Sequence, residues 1–250
     1  MAKKERPPQP DTARERLLQR YAAFKATNPG VSYSHWLEGV ELESVMSGKP
    51  HATLGPRLRR FENWWEAGDG TFKRYRKWFP FIPSSRIVDY GCGSLRVGGH
   101  FIKFLDPERY VGLDVISGFY DMGKALIGPE LMAEKKPRFA VIDDASVRDA
   151  AAFAPDFVYS SAVSYHIHPD EAADYFRSMQ AICHKPGATL FFDVSVSDAP
   201  IHDLQLSMPL DYFKDTLPEL QFIQYYEIER IESLGQSIGV IRFRRQPGVA

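Results

Sequence analysis

The sequence predicts an α/β fold that contains a doubly wound, mostly parallel sheet, an antiparallel C-terminal hairpin and an N-terminal helical extension. From Pro80 onward, short and almost continuously apolar segments alternate with helical stretches. Parallel strands that helices cover on both faces have this pattern, and right-handed crossovers wind them into a doubly wound sheet. Near the C-terminus, two segments of strand character flank Leu234-Gly235, as in a β-hairpin.

The individual elements follow from local patterns. A proline-rich tail of about ten residues precedes three helical stretches, at about 11–24, around Trp36 to Leu42, and at about 58–67. The predicted strands are 87–90, 110–115, 139–142, 157–160 and 189–194, followed by the hairpin strands 225–231 and 237–243. The predicted helices between the strands are 96–105, 117–133, 145–152 and 170–183.

Composition narrows the class of protein. With 44% hydrophobic and 13% aromatic residues in 250, the chain is globular. Its 31 basic and 32 acidic residues argue against a protein built mainly to coat nucleic acid. Two cysteines cannot form a disulfide framework, which favours a reducing compartment. We find neither a secretory signal nor a run of about 18 apolar residues, so we expect a cytoplasmic protein that does not cross a membrane.

The strongest local motif is the glycine-rich segment Val88–Arg96, which leaves the first strand and opens a helix. Gly91 and Gly93 allow the backbone to turn sharply and a ligand to approach it closely. Asp114 ends the second strand, at the same edge of the sheet, where open α/β folds bind ligands. A carboxylate there can accept hydrogen bonds from both hydroxyls of a ribose. Together these features predict a cofactor that contains a nucleoside.

The same motif discriminates between cofactors. The dinucleotide fingerprint requires a third glycine at the position of Arg96, which counts against NAD. S-adenosyl-L-methionine contains a ribose but no pyrophosphate, so it needs only the turn and the acid. The Arg96 side chain has two open interpretations, solvation or contact with a methionyl carboxylate.

Five segments in order resemble the class I (Rossmann-like) S-adenosyl-L-methionine-dependent methyltransferases over roughly residues 80–195: VDYGCGSLR, YVGLDV, VIDD, DFVYSSAVSYHIHPDE and HKPGATLFFDV. The resemblance implies a methyltransferase with S-adenosyl-L-methionine as cofactor and a seven-stranded sheet whose last strand is antiparallel. It implies cofactor-binding roles for Asp89, Gly91, Cys92, Gly93, Asp114, Val115, Asp143, Asp144, Ser160 and Ser161. The chain departs from the family pattern at Leu95, where many members have a third glycine.

The resemblance also implies which part of the cofactor each group serves. The residues of the glycine-rich loop would surround the methionyl part, with Cys92 interpreted as a packing residue within it. Asp114 would hold the ribose, and Val115 would pack on the adenine. One of the two aspartates after the third strand would face the adenine amino group, and the two serines that end the fourth strand would lie near the methyl donor.

A His-x-His-x-Asp segment follows the fourth strand and ends at Asp170. This spacing is known from metal sites, but Glu171 stands where a metallohydrolase pattern has another histidine, and we expect no metal. Asp170 is a candidate N-cap of the helix that begins with Glu171. His166 would then lie over the pocket, either as a catalytic base or as a structural histidine.

These observations favour O-methylation of a small molecule, with His166 as the base near the end of the fourth strand. We expect residues 1–80 to form a tail and a helical cap or lid on the 81–250 methyltransferase domain, in which 195–225 is an acceptor-binding insertion. One alternative is a nucleic-acid (RNA) methyltransferase that uses the basic and aromatic stretch 57–77. Another is a non-catalytic cofactor-binding partner subunit. The acceptor and the oligomeric state stay open.

Overall fold

The computed structural model describes residues 13–46, 64–164, 167–198, 201–202 and 206–247. Its helices are α1 (Ala13–Thr27), α2 (Tyr33–Met46), α3 (Trp64–Trp78), α4 (Gly98–Phe104), α5 (Ser117–Ile127), α6 (Pro129–Lys135), α7 (Asp144–Ala152), α8 (Pro169–Ile182) and α9 (Leu210–Thr216). Its strands are β1 (Ile87–Tyr90), β2 (Tyr110–Asp114), β3 (Arg138–Val141), β4 (Phe157–Ser160), β5 (Thr189–Ser197), β6 (Ile201–His202), β7 (Leu206–Met208), β8 (Leu220–Ile231) and β9 (Gln236–Arg245). Within these residues, no helix is long and apolar enough to span a membrane.

The sheet confirms the predicted fold class. Strands β3, β2, β1, β4 and β5 lie side by side and are parallel. β9 pairs antiparallel with β5 along its whole length, and β8 pairs antiparallel with β9, which completes seven strands. The structure adds a short hairpin that the sequence did not indicate. In it, β6 pairs with β7, and β7 lies parallel to β5 at Ser195 and Val196, beyond the end of β4.

Each face of the sheet is covered by a separate apolar core. Alternation along β1 directs Val88 and Tyr90 to one face and Ile87 to the other. The first face packs against side chains of α7, α8 and α9. The second face packs against α3, α4 and α5, and Tyr75 and Phe79 are among its buried residues. We call the second face the α3 face.

Helix α3 differs from its predicted bounds, because it continues to Trp78 instead of ending near residue 67. Gly68 lies inside this helix, where glycine is ordinarily unfavourable. Here the close approach of two chain segments requires it, since a Cβ at Gly68 would lie 1.7 Å from the carbonyl oxygen of Arg96. Packing of α3 on the glycine-rich loop therefore outweighs local helix propensity.

Helix α8 begins one residue earlier than expected, and the predicted N-cap was wrong. His168 is the N-cap, with its Nδ1 accepting a hydrogen bond from the backbone N–H of Asp170 at 3.3 Å. Pro169 occupies the first helical position, which suits proline because its φ angle is helical and no N–H is needed there.

Candidate functional site

Four residues form a row on the α3 face at the carboxyl edge of the sheet, and the register of the strands just below them shows this. Asp89, on β1, is in register with Gly112 of β2 and Tyr159 of β4, and Tyr159 is in register with Phe191 of β5. Two residues further along the chain in each case lie Gly91, Asp114, Ser161 and Asp193; Gly91 and Ser161 directly follow β1 and β4, and the two aspartates lie within β2 and β5. Neighbouring strands lie about 4.8 Å apart, so the two aspartates of this carboxyl-edge row are separated by roughly 14 Å.

The glycine-rich loop turns back over β2 directly after β1. The backbone N–H groups of Gly91 and Cys92 both donate to the carbonyl oxygen of Leu113, at 2.8 and 2.9 Å. Gly91 has a φ of 82°, and a Cβ there would lie 2.6 Å from a methyl group of Val163. A side chain at this position would therefore both strain the backbone and collide with the segment after β4.

Leu95 adopts the conformation that a glycine would favour. Its φ of 60° lies in the left-handed region, which disfavours a residue with a Cβ by about 1–2 kcal/mol. Its side chain is fully buried in the core of the α3 face, and that burial contributes about as much in the opposite direction. The departure from the family pattern at this position thus leaves the left-handed turn in place.

Asp114 ties the end of β2 to the glycine-rich loop. Its Oδ2 accepts a hydrogen bond from the backbone N–H of Gly93 at 2.7 Å, and its Oδ1 accepts one from Ile116 at 3.5 Å. Burial raises the pKa of Asp114 to about 6, although the backbone hydrogen bonds oppose this shift. Val115 follows and is partly exposed. The structure therefore brings together three predicted site residues: Gly93, Asp114 and Val115.

Asp89 lies one row below the loop, inside the core of the α3 face. Its Oδ2 accepts hydrogen bonds from the hydroxyls of Tyr110 at 2.6 Å and Tyr159 at 2.5 Å. Burial raises its pKa to about 7, against the lowering effect of these two bonds. A Cβ at Gly98 would lie 2.1 Å from the Tyr110 hydroxyl, so the start of α4 rests on this cluster. Asp89 thus supports the loop from beneath through buried tyrosines.

The two serines at the end of β4 point to opposite faces. Ser160 donates to the carbonyl oxygen of Tyr90 at 2.6 Å and accepts from the hydroxyl of Tyr175 at 2.7 Å, and it is 1% exposed. Ser161 lies in the carboxyl-edge row and is partly exposed, and its hydroxyl donates to Asp193 at 3.0 Å. Only Ser161 therefore faces the candidate site.

The aspartates after β3 and the loop cysteine also have defined surroundings. The Asp143 carboxylate caps α7 by accepting from the N–H of Ser146 at 2.7 Å, and this bond lowers its pKa. Asp144 is the first residue of α7 and is exposed. Cys92 is buried, and burial raises the pKa of its thiol well above the ordinary value, as expected for a packing residue.

The sequence did not point to the group that surrounds Asp193. Its carboxylate accepts three hydrogen bonds, from the Tyr75 hydroxyl at 2.8 Å, the Ser161 hydroxyl at 3.0 Å and the N–H of Ala162 at 2.8 Å. Arg96 lies close to this group. Burial lowers the pKa of its guanidinium, and the negative charge of Asp193 opposes that shift. The sequence signal that could have indicated Asp193 is a single aspartate in an otherwise apolar strand segment, Phe-Phe-Asp-Val.

The N-terminal helices lie against the loops at this edge. The backbone N–H groups of Tyr33 and Ser34, at the start of α2, donate to the carboxylate of Glu171 in α8. Leu42 of α2 packs closely on Gly118: a Cβ at Gly118 would lie 2.4 Å from a methyl group of Leu42. Helix α2 therefore bridges the start of α5 after β2 and the start of α8 after β4. His166 lies outside the described residues.

Comparisons with known proteins place this geometry in a family. Residues 64–240, more than half of the chain, match the family model described as a methyltransferase domain. No curated protein sequence matches the chain. Magnesium protoporphyrin IX methyltransferase from Synechocystis PCC 6803, solved with bound SAM, has 12% identity and a TM-score of 0.58, and the match covers 87% of this chain and 99% of that one.

Two further solved structures show how widely the fold is used. Phosphoethanolamine N-methyltransferase 2 from Haemonchus contortus has 11% identity and a TM-score of 0.60, over 86% of this chain and 60% of that one. The [4+2]-cyclase SpnF has 11% identity and a TM-score of 0.56, over 73% and 83%. At these identities the structures show a common fold, and their different reactions leave the acceptor open. By its family match and its strand order, the chain belongs to the class I S-adenosyl-L-methionine-dependent methyltransferases, an enzyme family whose cofactor is S-adenosyl-L-methionine.

Proposed function

We propose that this methyltransferase binds S-adenosyl-L-methionine along the carboxyl-edge row and methylates an oxygen atom of a small-molecule acceptor. The observation that carries the proposal is the contact of Asp114 with Gly93, which joins a buried carboxylate to a loop of left-handed glycines. Gly91, Gly93 and Ser161 are partly exposed in an otherwise buried neighbourhood, as expected where a ligand lies against backbone. The donors and acceptors present therefore fit this cofactor.

We assign the parts of the site by their chemistry. Asp114 would accept hydrogen bonds from the ribose hydroxyls, with Val115 against the adenine and the exposed Asp143 or Asp144 near its amino group. Gly91 and Gly93, with Cys92 between them, would follow the methionyl part. Arg96 would offer its guanidinium to the methionyl carboxylate, and its partly buried position favours this role over full solvation.

The methyl-transfer end would lie at Ser161. When bound, the cofactor supplies a methyl group on a positively charged sulfur, which is open to in-line attack by an acceptor oxygen. The chain has to align that oxygen and remove its proton. We assign the base to His166, because the neighbouring Ser164 is buried and its hydroxyl donates to the carbonyl oxygen of Asp193, beside the row. Asp89 and Ser160 would support the site from the core.

The surroundings of α3 favour a small acceptor over nucleic acid. Phe72 packs edge-on against Phe101, Tyr75 is fully buried, and Trp78 stacks on Tyr226 at 4.7 Å. These rings are therefore engaged within the protein, whereas a single-stranded nucleic acid needs exposed rings on which bases stack. We further propose that α1 and α2 form a cap over the site, with residues 195–225 contacting the acceptor.

Titration calorimetry tests the cofactor assignment directly. We expect binding of S-adenosylmethionine and S-adenosylhomocysteine, and far weaker binding of NAD, because Arg96 occupies the position of the third dinucleotide glycine. No heat with either adenosyl ligand would refute the proposal.

The acceptor class is tested by incubating a cell extract with the enzyme and a methyl-labelled cofactor, followed by fractionation. We expect the label among small molecules, and label in RNA would support the nucleic-acid alternative. Once an acceptor is known, His166→Ala should lower turnover by about 10²–10⁴-fold with little change in cofactor affinity. His168→Ala is the matched control and should reduce stability through loss of the α8 cap. A folded His166→Ala enzyme with normal turnover would exclude the base assignment.

A further inference from the structure

Asp193 connects three separate segments of the chain at the methyl-transfer end of the site. Its carboxylate receives the Tyr75 hydroxyl from α3 and both the Ser161 hydroxyl and the Ala162 N–H from the segment after β4. Its own carbonyl oxygen receives the hydroxyl of Ser164. Asp193 is therefore bonded to three of the four residues 161–164.

Ala162 has a backbone conformation that depends on this contact. Its φ is 59°, in the left-handed region that is unfavourable for a residue with a Cβ. The Ala162 N–H donates to the Asp193 carboxylate at 2.8 Å, and hydrogen bonds to a carboxylate are among the stronger ones in proteins, so this bond can hold the left-handed conformation. Without that carboxylate, a negative φ at Ala162 would be energetically favoured.

The next residue transmits this conformation to the glycine-rich loop. A methyl group of Val163 lies 2.6 Å from the position that a Cβ of Gly91 would occupy, so Val163 packs directly on the backbone of the loop. A change of φ at Ala162 would move Val163 away from Gly91. The cofactor-binding loop and the segment after β4 would then lose their mutual support.

We propose that Asp193 is a positioning residue, which holds the segment 161–164 in the conformation that shapes the methyl-transfer end of the site. This inference rests on the proposed function. A role as the general base fits the geometry poorly, because three donors already occupy the carboxylate. Burial raises the pKa of Asp193 against the lowering effect of these hydrogen bonds. Each of its two oxygens already accepts from a donor of the chain, whereas a base has to direct an oxygen at the acceptor's proton.

The test compares Asp193→Ala with variants that separate position from charge. Asp193→Ala should weaken binding of S-adenosylhomocysteine by about 10- to 100-fold, the equivalent of one lost charged hydrogen bond. Asp193→Asn should stay within about threefold of the wild type, because its amide oxygen can still accept from Ala162 while the Tyr75 hydroxyl rotates to accept from its NH₂. Adding Ala162→Gly to Asp193→Ala should recover part of the affinity, because glycine adopts a positive φ without strain.

Asp156→Ala is the matched control. Its carboxylate also holds a backbone N–H, that of Arg86 at 2.8 Å, together with Lys185, but it lies before β4 at the opposite edge of the sheet. We expect this variant to lose stability and to keep its affinity for S-adenosylhomocysteine. Equal weakening by both substitutions would assign the effect of Asp193 to general destabilisation and overturn the proposal.

Hydrogen exchange at the Ala162 amide gives a second readout that needs no ligand. We expect protection in the wild type and in Asp193→Asn, and exchange at least about tenfold faster in Asp193→Ala, as for loss of a hydrogen bond. Unchanged exchange in Asp193→Ala, or an Asn variant as impaired as the Ala variant, would overturn the positioning role. If the wild type bound no adenosyl ligand, the proposed function would fail, and the exchange rates would still decide whether Asp193 holds this segment.

Discussion

Replacement of Asp114 by alanine tests the centre of the proposed cofactor site. The carboxylate is buried, and in the protein alone it accepts from the N–H groups of Gly93 and Ile116. A bound ribose would add two hydroxyl donors. Hydrogen bonds to a charged acceptor contribute about 1.5–3 kcal/mol each, and rearrangement of the freed loop would recover part of the loss. We therefore expect Asp114→Ala to weaken binding by about 2–4 kcal/mol, or roughly 30- to 1000-fold.

The same carboxylate makes binding depend on pH. Accepting from both ribose hydroxyls requires the ionised form, and burial raises the pKa of Asp114 to about 6 in the protein alone. Above that pH the group is already ionised, so affinity should be constant. Below it, binding has to release a proton, and affinity should fall by up to about tenfold for each pH unit.

Titration calorimetry with S-adenosylhomocysteine measures both effects, with melting temperatures recorded on the same samples. The Asp114→Ala variant should be insensitive to pH in the range where the wild type loses affinity. Asp114→Asn, which keeps the size of the side chain, should fall between the two because a neutral acceptor is weaker than a charged one. Wild-type affinity in Asp114→Ala, or a wild type whose affinity does not change through pH 6, would refute the reasoning.

Two further predictions concern stability. The pKa of Asp89 is raised to about 7, so ionisation opposes folding: the free energy of unfolding should decrease as the pH rises from about 4 to about 7 and stay lower above it. Asp89→Asn, which resembles the neutral form, should flatten this dependence in denaturant titrations, and an unchanged slope would contradict the assignment. Ser160→Ala should lose about 1–3 kcal/mol of stability, because two buried partners lose their bonds, while S-adenosylhomocysteine affinity is retained. Weaker binding by the folded variant would instead indicate that Ser160 reaches the ligand.

The sequence was sufficient for the parallel strands, because each is a compact apolar run with its own turn signals. Asp114 and the loop glycines were also predictable, since a strand end and the following residues share a known edge of the sheet. The sequence did not show which of the two serines at the end of β4 faces the site, because a shift of one residue reverses the face of a strand. Asp193 was missed because its partner Tyr75 lies 118 residues earlier in the chain, and no local pattern reports such a contact.

That distance has a consequence for the order in which the molecule is completed. Tyr75 leaves the ribosome long before Asp193, and the intervening residues include β1 to β4. During much of synthesis, helix α3 is therefore present without β5, which carries the Asp193 partner of Tyr75. Non-local contacts of this kind are slow to form. A nascent chain that ends before β5 could assemble the glycine-rich loop and still lack the methyl-transfer end. We therefore expect the two ends of the site to fold at different times, the ribose end before the methyl-transfer end.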